Sequence, residues 1–183
     1  MTFTEIELPG AYLVTPAPRQ DNRGWFMRTF DKRAFARIGF AGEWVQMNHS
    51  LTRQAGAVRG LHYQHPPMAE IKLVRCVAGR VFDVLVDLRA GSPTFLRWFG
   101  AELSAETGQM LYVPEAVAHG FQTLTTDCQM VYAHSAEYAP DHEGAVRFDD
   151  PRVGIAWLLP VADLSERDAS HPLLDDTFAG VVF

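Results

Sequence analysis

The sequence has 183 residues, 48% of them hydrophobic and 21% charged, which is the composition of a folded globular chain and excludes a disordered one. Its 16 Lys and Arg against 22 Asp and Glu leave a net charge of −6, the wrong sign for a protein that grips nucleic acid by its phosphates. The opening MTFTEIELPG lacks the basic and apolar regions of a signal peptide, and no run approaches the roughly 20 apolar residues that cross a bilayer. The expectation is one cytoplasmic domain over residues 1–183, with no membrane contact. Cys76 and Cys128 are too few for a disulfide framework and sit in apolar runs, as reduced buried thiols do.

In chain order, GAYLVTPAP (10–18) starts as an extended segment that prolines terminate. FDKRAFARIGF (30–40) spaces Phe30, Ala34, Phe35 and Ile38 at helical intervals, with Gly39 as the stop, and predicts one short helix. From about residue 44 to 135 the pattern is strand after strand: EIKLVRCVAG, RVFDVLVDLRAG, LRWFGAELSA, QMLYVPEAVAHGF and CQMVYAHSAEY. The tail from about 150 is rich in Pro and Asp, with a second possible helix near 163–168. Strands at this spacing without helices between them predict an all-β, double-sheet jelly roll of cupin type with one or two short helices.

Histidines dominate the candidate chemistry. GLHYQHPPMAEIK (60–72) carries His62, His65, Glu70 and Lys72, and VPEAVAHGF (113–121) adds His119. One reading is a metal-dependent jelly-roll isomerase or oxygenase with His62, His65, Glu70 and His119 as ligands. Residues three apart on a strand face opposite ways, so the His-x-x-His spacing argues against it. The other reading is metal-free acid–base work: an imidazole takes a proton, a carboxylate orients it, and a Lys or Tyr stabilises or reprotonates the product. By alternation, Gly60, His62 and Gln64 share one face of their strand, and Lys72 and Val74 share a face of the next.

DNRGWF (21–26), QMNHS (46–50), VRGLHYQ (58–64), KLVRCVAGRVFDVLVDLR (72–89), SPTF (92–95), LSAE (103–106), VPEAVAHGF (113–121), DDP (149–151) and LSERD (164–168) resemble, in order and spacing, the dTDP-4-dehydrorhamnose 3,5-epimerase family. The resemblance runs from about residue 5 to 176. It implies a homodimeric jelly roll without metal or organic cofactor that epimerises a 4-keto-6-deoxy sugar carried on a nucleoside diphosphate. It assigns His62 as the base, Asp168 as its orienting carboxylate, Lys72 as the cation beside the enolate and Tyr132 as the acid on the opposite face. It assigns Arg23, Arg59 and Arg167 to the diphosphate, Phe26 and Tyr138 to the base, and Gln46, Asn48, His119 and Glu143 to sugar, phosphate or base contacts. Arg23 and Phe26 lie in the motif that completes the partner subunit's pocket in that family. An inactive sugar-nucleotide binding protein is the remaining alternative, and retention of the four catalytic-type residues speaks against it.

The departures fall on the nucleoside side. The family's R-G-x-F-x-E ends here in Arg28; Ala133 stands where Lys is usual, Arg167 where Lys is common and Phe148 where Trp is. A guanidinium only donates hydrogen bonds, so Arg28 predicts either an altered nucleotide preference or a side chain turned away from the nucleoside.

Overall fold

The chain forms short strands bounded by turn residues, and the computed structural model describes residues 1–182. In order, β1 (Thr2–Glu5), β2 (Tyr12–Thr15), β3 (Arg19–Asp21) and β4 (Gly24–Phe26) precede α1 (Lys32–Ala36). There follow β5 (Gln46–Thr52), β6 (Ala57–Gln64), β7 (Lys72–Ala78), β8 (Arg80–Asp87), β9 (Trp98–Ser104), β10 (Met110–Val113), β11 (Val117–Thr123) and β12 (Cys128–His134). The tail holds β13 (Glu143–Ala145), β14 (Asp163–Leu164) and α2 (Glu166–Ser170).

One sheet runs β1-β2-β10-β7-β12-β5 and the other β13-β6-β11-β8-β9, with β14 parallel to β6 and β3–β4 a separate hairpin. This is the expected all-β double-sheet jelly roll. No helix among the described residues is long and apolar enough to cross a membrane.

Three apolar layers hold the sheets. Val74, Cys76, Leu85, Leu111, Phe121 and Met130 fill the space between them. Leu61, Phe82, Val84 and Val86 lie on the far face of the second sheet, under Ile155, Trp157, Leu174 and Phe178 of the tail. Phe35, Phe40, Leu73 and Tyr112 lie on the far face of the first sheet, with Phe30 and Trp44 over them. β8 is therefore buried at every position except Arg80, so its sequence reads as a continuous apolar run with two buried acids rather than an alternation. Both cysteines are free and buried.

Three local readings are corrected. The expected helix over 30–40 is only α1, capped by Asp31, whose carboxylate accepts from the Ala34 N–H. QMLYVPEAVAHGF is two strands, because Pro114 and positive-φ Ala116 turn the chain between β10 and β11. Residues 163–168 split into β14, Ser165 as a helix cap, and the start of α2.

Candidate active site

A cavity of about 480 Å³ opens at one end of the space between the sheets. β5 lends Asn48, Ser50 and Thr52; β7 lends Lys72; β12 lends Tyr132 and His134. The second sheet lends Arg59, His62 and His119, and the tail closes the cavity with residues from Asp163 to Asp168. The size is that of a small-molecule site.

Alternation alone does not produce this wall. Between His119↔His62 and Phe121↔Arg59 the β6–β11 register slips, three steps on β6 opposing two on β11. The extra residue is a bulge at Gly60, and it turns Arg59 onto the same side as His62. The bulge corrects the expected alternation only on the Arg59 side: His62 and Gln64 keep the same face in an unbroken register with β13, and Gln64 bonds the Met68, Glu137 and Ala139 backbone beyond the cavity. Gly60 has φ +114°, and a Cβ there would stand 2.7 Å from both His119 O and Gly120 Cα, so only glycine fits.

His62 Nε2 lies 2.7 Å from Asp168 Oδ1, across 106 residues of sequence. Burial works to raise the Asp168 carboxyl, but the bonds from His62, the Gly60 N–H and Ser165 outweigh it and hold it below its ordinary value. An ionised carboxylate accepting from Nε2–H leaves Nδ1 of His62 free to accept a proton. Tyr132 is half-buried on the opposite sheet, with its hydroxyl 3.0 Å from Ser50 Oγ. Burial pushes its phenol far above the usual range, so it is held protonated.

Lys72 Nζ donates to the His62 carbonyl at 3.0 Å and pairs with Glu70 Oε1 at 3.1 Å. Glu70 also meets His134 Nδ1 at 2.7 Å, and His134 Nε2 lies 3.3 Å from Asn48 Nδ2. Burial raises the Glu70 carboxyl, and the His134 and Lys72 partners pull it back below its ordinary value. His119 Nε2 faces both oxygens of Asp83 at 2.9 and 3.0 Å, with Asp83 wholly buried and its carboxyl raised by that burial. Arg59 Nε donates to Thr52 Oγ1 at 2.8 Å, which points its fork along the cavity edge.

Of the sequence-predicted residues, Asn48, Arg59, His62, Lys72, His119, Tyr132, Arg167 and Asp168 line this one cavity. Gln46, Tyr138 and Glu143 adjoin it: Tyr138 N–H donates to Gln46 Oε1, Tyr138 OH donates to Glu143, and Glu143 pairs with Arg167. Arg23, Phe26 and Arg28 are not brought to it. Arg23 pairs with Asp21 on the β3–β4 hairpin, and Phe26 and Arg28 line a second cavity of about 620 Å³ with Arg19, Arg33 and Arg37. Arg28 Nη1 is tied to Asp31 Oδ2 at 2.8 Å.

The metal set of His62, His65, Glu70 and His119 does not converge. His62 is bound to Asp168, His119 to Asp83 and Glu70 to Lys72 and His134, while His65 packs against the Tyr63 ring outside the cavity. Sequence reading gave no role to Asp83 or His134. The first was visible as an acid inside an apolar strand, and the second as the residue sharing a strand face with Tyr132.

The family model described as dTDP-4-dehydrorhamnose 3,5-epimerase matches residues 5–176. A relative from Sinorhizobium fredii named dTDP-4-dehydrorhamnose 3,5-epimerase is 43% identical over 175 residues, covering 95% of this chain and 90% of its own. The crystal structure of the dTDP-4-dehydrorhamnose 3,5-epimerase from Bacillus anthracis with TDP and PPi bound superposes with a TM-score of 0.91 at 37% identity, covering 94% of this chain and 99% of that one. The dTDP-6-deoxy-D-glucose-3,5-epimerase from Legionella pneumophila, in complex with dTDP-4-keto-L-rhamnose, gives 0.91 at 34% identity over 100% of this chain and 98% of that one. A full-length match in sequence, together with a shared fold, makes this chain a member of the dTDP-4-dehydrorhamnose 3,5-epimerase family.

Proposed function

We propose that this protein is a nucleotide-sugar epimerase that inverts C3 and C5 of a 4-keto-6-deoxyhexose carried on dTDP, in deoxysugar biosynthesis of the rhamnose type. The observation that carries the reading is a His–carboxylate pair on one wall of the cavity and a half-buried, protonated tyrosine on the other, with Lys72 between the sheets. Protons on C3 and C5 flank the C4 ketone, so loss of either leaves an enolate.

In this reading His62 Nδ1 takes the proton from carbon, and Asp168 holds the ring and offsets the positive charge it gains. The electron pair of the C–H bond moves onto the C4 oxygen. Lys72, fixed by Glu70 and the His62 carbonyl, supplies a preorganised positive charge beside it. Tyr132 returns a proton from the opposite face, and the configuration inverts. A second round on the other carbon completes the conversion. Asp83 fixes the His119 ring beside the sugar or phosphate, and Arg59 and Arg167 take the diphosphate, for which guanidinium forks are suited. Asn48 contacts the sugar, while Gln46, Glu143 and Tyr138 sit on the nucleoside side. No metal or organic cofactor enters this scheme, since the ketone already acidifies both C–H bonds.

The protein is further proposed to act as a cytoplasmic homodimer with one catalytic domain per chain. Trp25 and Phe26 on the β3–β4 hairpin are 59% and 70% exposed, and Met47 on the outward face of edge strand β5 is 70% exposed beside Val45 and Leu51. Apolar groups so displayed fit a hairpin that reaches a second copy, carrying Arg23 and Phe26 toward its nucleotide. The Arg28–Asp31 pair supports dTDP as the carrier, because Asp31 engages the guanidinium within its own chain. The test is incubation in deuterated water with the 4-keto-6-deoxyglucose of dTDP, CDP, GDP and UDP. Deuterium at both C3 and C5 of the dTDP sugar is the expected result; label at neither carbon refutes the reading.

A further inference from the structure

His171 follows α2, three residues beyond Asp168, and its ring is turned back toward the dyad. Its Nε2 lies 4.0 Å from Asp168 Oδ1, and the ring stands at 73° to that of His62 with 6.3 Å between centroids. That nitrogen is buried and has no hydrogen-bond partner among the described residues, a costly condition for a polar ring atom. His171 is not among the residues lining the cavity, so it approaches Asp168 from outside it. The proposed reaction leaves His171 without a role. His62, Asp168 and His171 each offer one donor atom, and the three lie within 4.8 Å of one another.

We propose that His62, Asp168 and His171 form an inhibitory zinc site, in which the ion replaces the hydrogen bond of the dyad and disables the base.

Two imidazoles and one carboxylate are ordinary zinc ligands, and three protein ligands leave a fourth position for water. With bonds of about 2.0–2.1 Å, a tetrahedral ion holds its donors about 3.3 Å apart. The observed spacings of 2.7 Å for His62–Asp168 and 4.0 Å for His171–Asp168 bracket that value. Binding therefore needs the first pair to open and the second to close by well under 1 Å each, with the two imidazole donors, within 4.8 Å of one another, coming to the same spacing. His171 has room to do so, since its side chain is 23% exposed and lies past the helix end.

The inhibitory consequence follows from the imidazole itself. A neutral ring has one lone pair in its plane and one N–H. In the free dyad the N–H is on Nε2, facing Asp168, and the lone pair on Nδ1 is available to the substrate. Zinc on Nε2 takes a lone pair there, so the ring proton moves to Nδ1. The nitrogen that should accept a proton then carries one. The ion lies at the dyad's outer side, so the sugar nucleotide still enters, and zinc lowers kcat while leaving KM nearly unchanged.

This inference rests on His62 being the base, but zinc binding is measurable without any turnover. Calorimetric titration of EDTA-treated full-length protein with zinc chloride is expected to show one ion per chain, bound at least tenfold more weakly by His171→Ala. In the epimerase assay, zinc is expected to lower kcat at least tenfold with KM changed less than twofold. His171→Ala should keep basal kcat/KM within twofold of the unmodified protein, and the zinc needed for half-inhibition should rise at least tenfold. His171→Gln, closer in size, is measured alongside, with circular dichroism reporting the fold of both variants. Equal zinc affinity in all three proteins overturns the proposal, as does inhibition expressed in KM. A large basal loss of kcat with a shifted pH profile in both variants also overturns it, because His171 is then a positioning group for the dyad. His171-dependent zinc binding by a protein without epimerase activity upholds the site and refutes the assigned reaction. An active enzyme that binds no zinc refutes only the site.

Discussion

Asp168→Asn isolates the contribution of the dyad's charge. The substituted amide has the size of the carboxylate, but it has one acceptor where the native residue has two. Asp168 now receives His62 Nε2 on Oδ1 at 2.7 Å and the Gly60 N–H on Oδ2 at 3.3 Å. If the amide oxygen faces His62, its NH2 opposes the Gly60 N–H. If the amide is flipped, its NH2 faces Nε2 and forces the ring proton onto Nδ1, the wrong tautomer for a base. Either way the negative charge is gone. Two unit charges whose centres lie about 4 Å apart interact by about 4 kcal/mol at an effective dielectric constant near 20. That corresponds to roughly a thousandfold in rate, a size comparable to the loss in other His–carboxylate systems. We expect kcat to fall about a thousandfold and KM to change by less than about threefold, because Asp168 is not assigned to substrate binding. Steady-state kinetics on the dTDP sugar, with deuterium wash-in as an independent readout, supplies the measurement. A fall of less than tenfold, or a loss expressed in KM, refutes the assignment of Asp168 as the group that charges and orients His62.

Tyr132→Phe should still wash deuterium into the substrate, while inversion falls by about 10²–10³; equal loss of both counts against an acid role. Gly60→Ala should destabilise the protein by about 3 kcal/mol in urea unfolding, since the new Cβ meets backbone at 2.7 Å in a positive-φ conformation, and an unchanged midpoint refutes the account of the bulge. The Glu70 carboxyl is held below its unfolded value of 4.5, so the unfolded chain binds more protons on acidification and stability falls as pH drops through that value. Glu70→Gln should flatten the pH dependence of the urea midpoint between about pH 3 and 5, and an equally steep dependence in the variant shows that Glu70 is not its source.

The run of strands from β5 to β12 was legible because each carries β-branched or aromatic residues between turn signals, whereas pairings such as that of β7 with β12, with its slip between Gln129 and Met130, were not. His62, Lys72, Tyr132 and Asp168 were legible through their motifs, and all four line one cavity. What stayed hidden is set by pairing across the sheets. Alternation put Arg59 and His62 on opposite faces, and only the slip against β11 reunites them. Asp83 is an acid inside an apolar strand, and its partner is set by the ladder: β8 has apolar cover on both faces, and the acid is matched by His119 diagonally across it. Arg28 stands where the family motif carries an acidic residue, and the motif says nothing of the carboxylate that the cap of α1 supplies to it in Asp31.

The parallel pairing of β14 with β6, at Asp163↔Ala57 and Leu164↔Val58, brings α2 to the sheet from the far end of the chain. During synthesis His62 therefore leaves the ribosome long before Asp168 does, with 105 residues between them. The nascent chain can close most of both sheets and remain inert, because the tail that carries Asp168 also closes the cavity. Chemical competence then arrives with the final stretch of polypeptide.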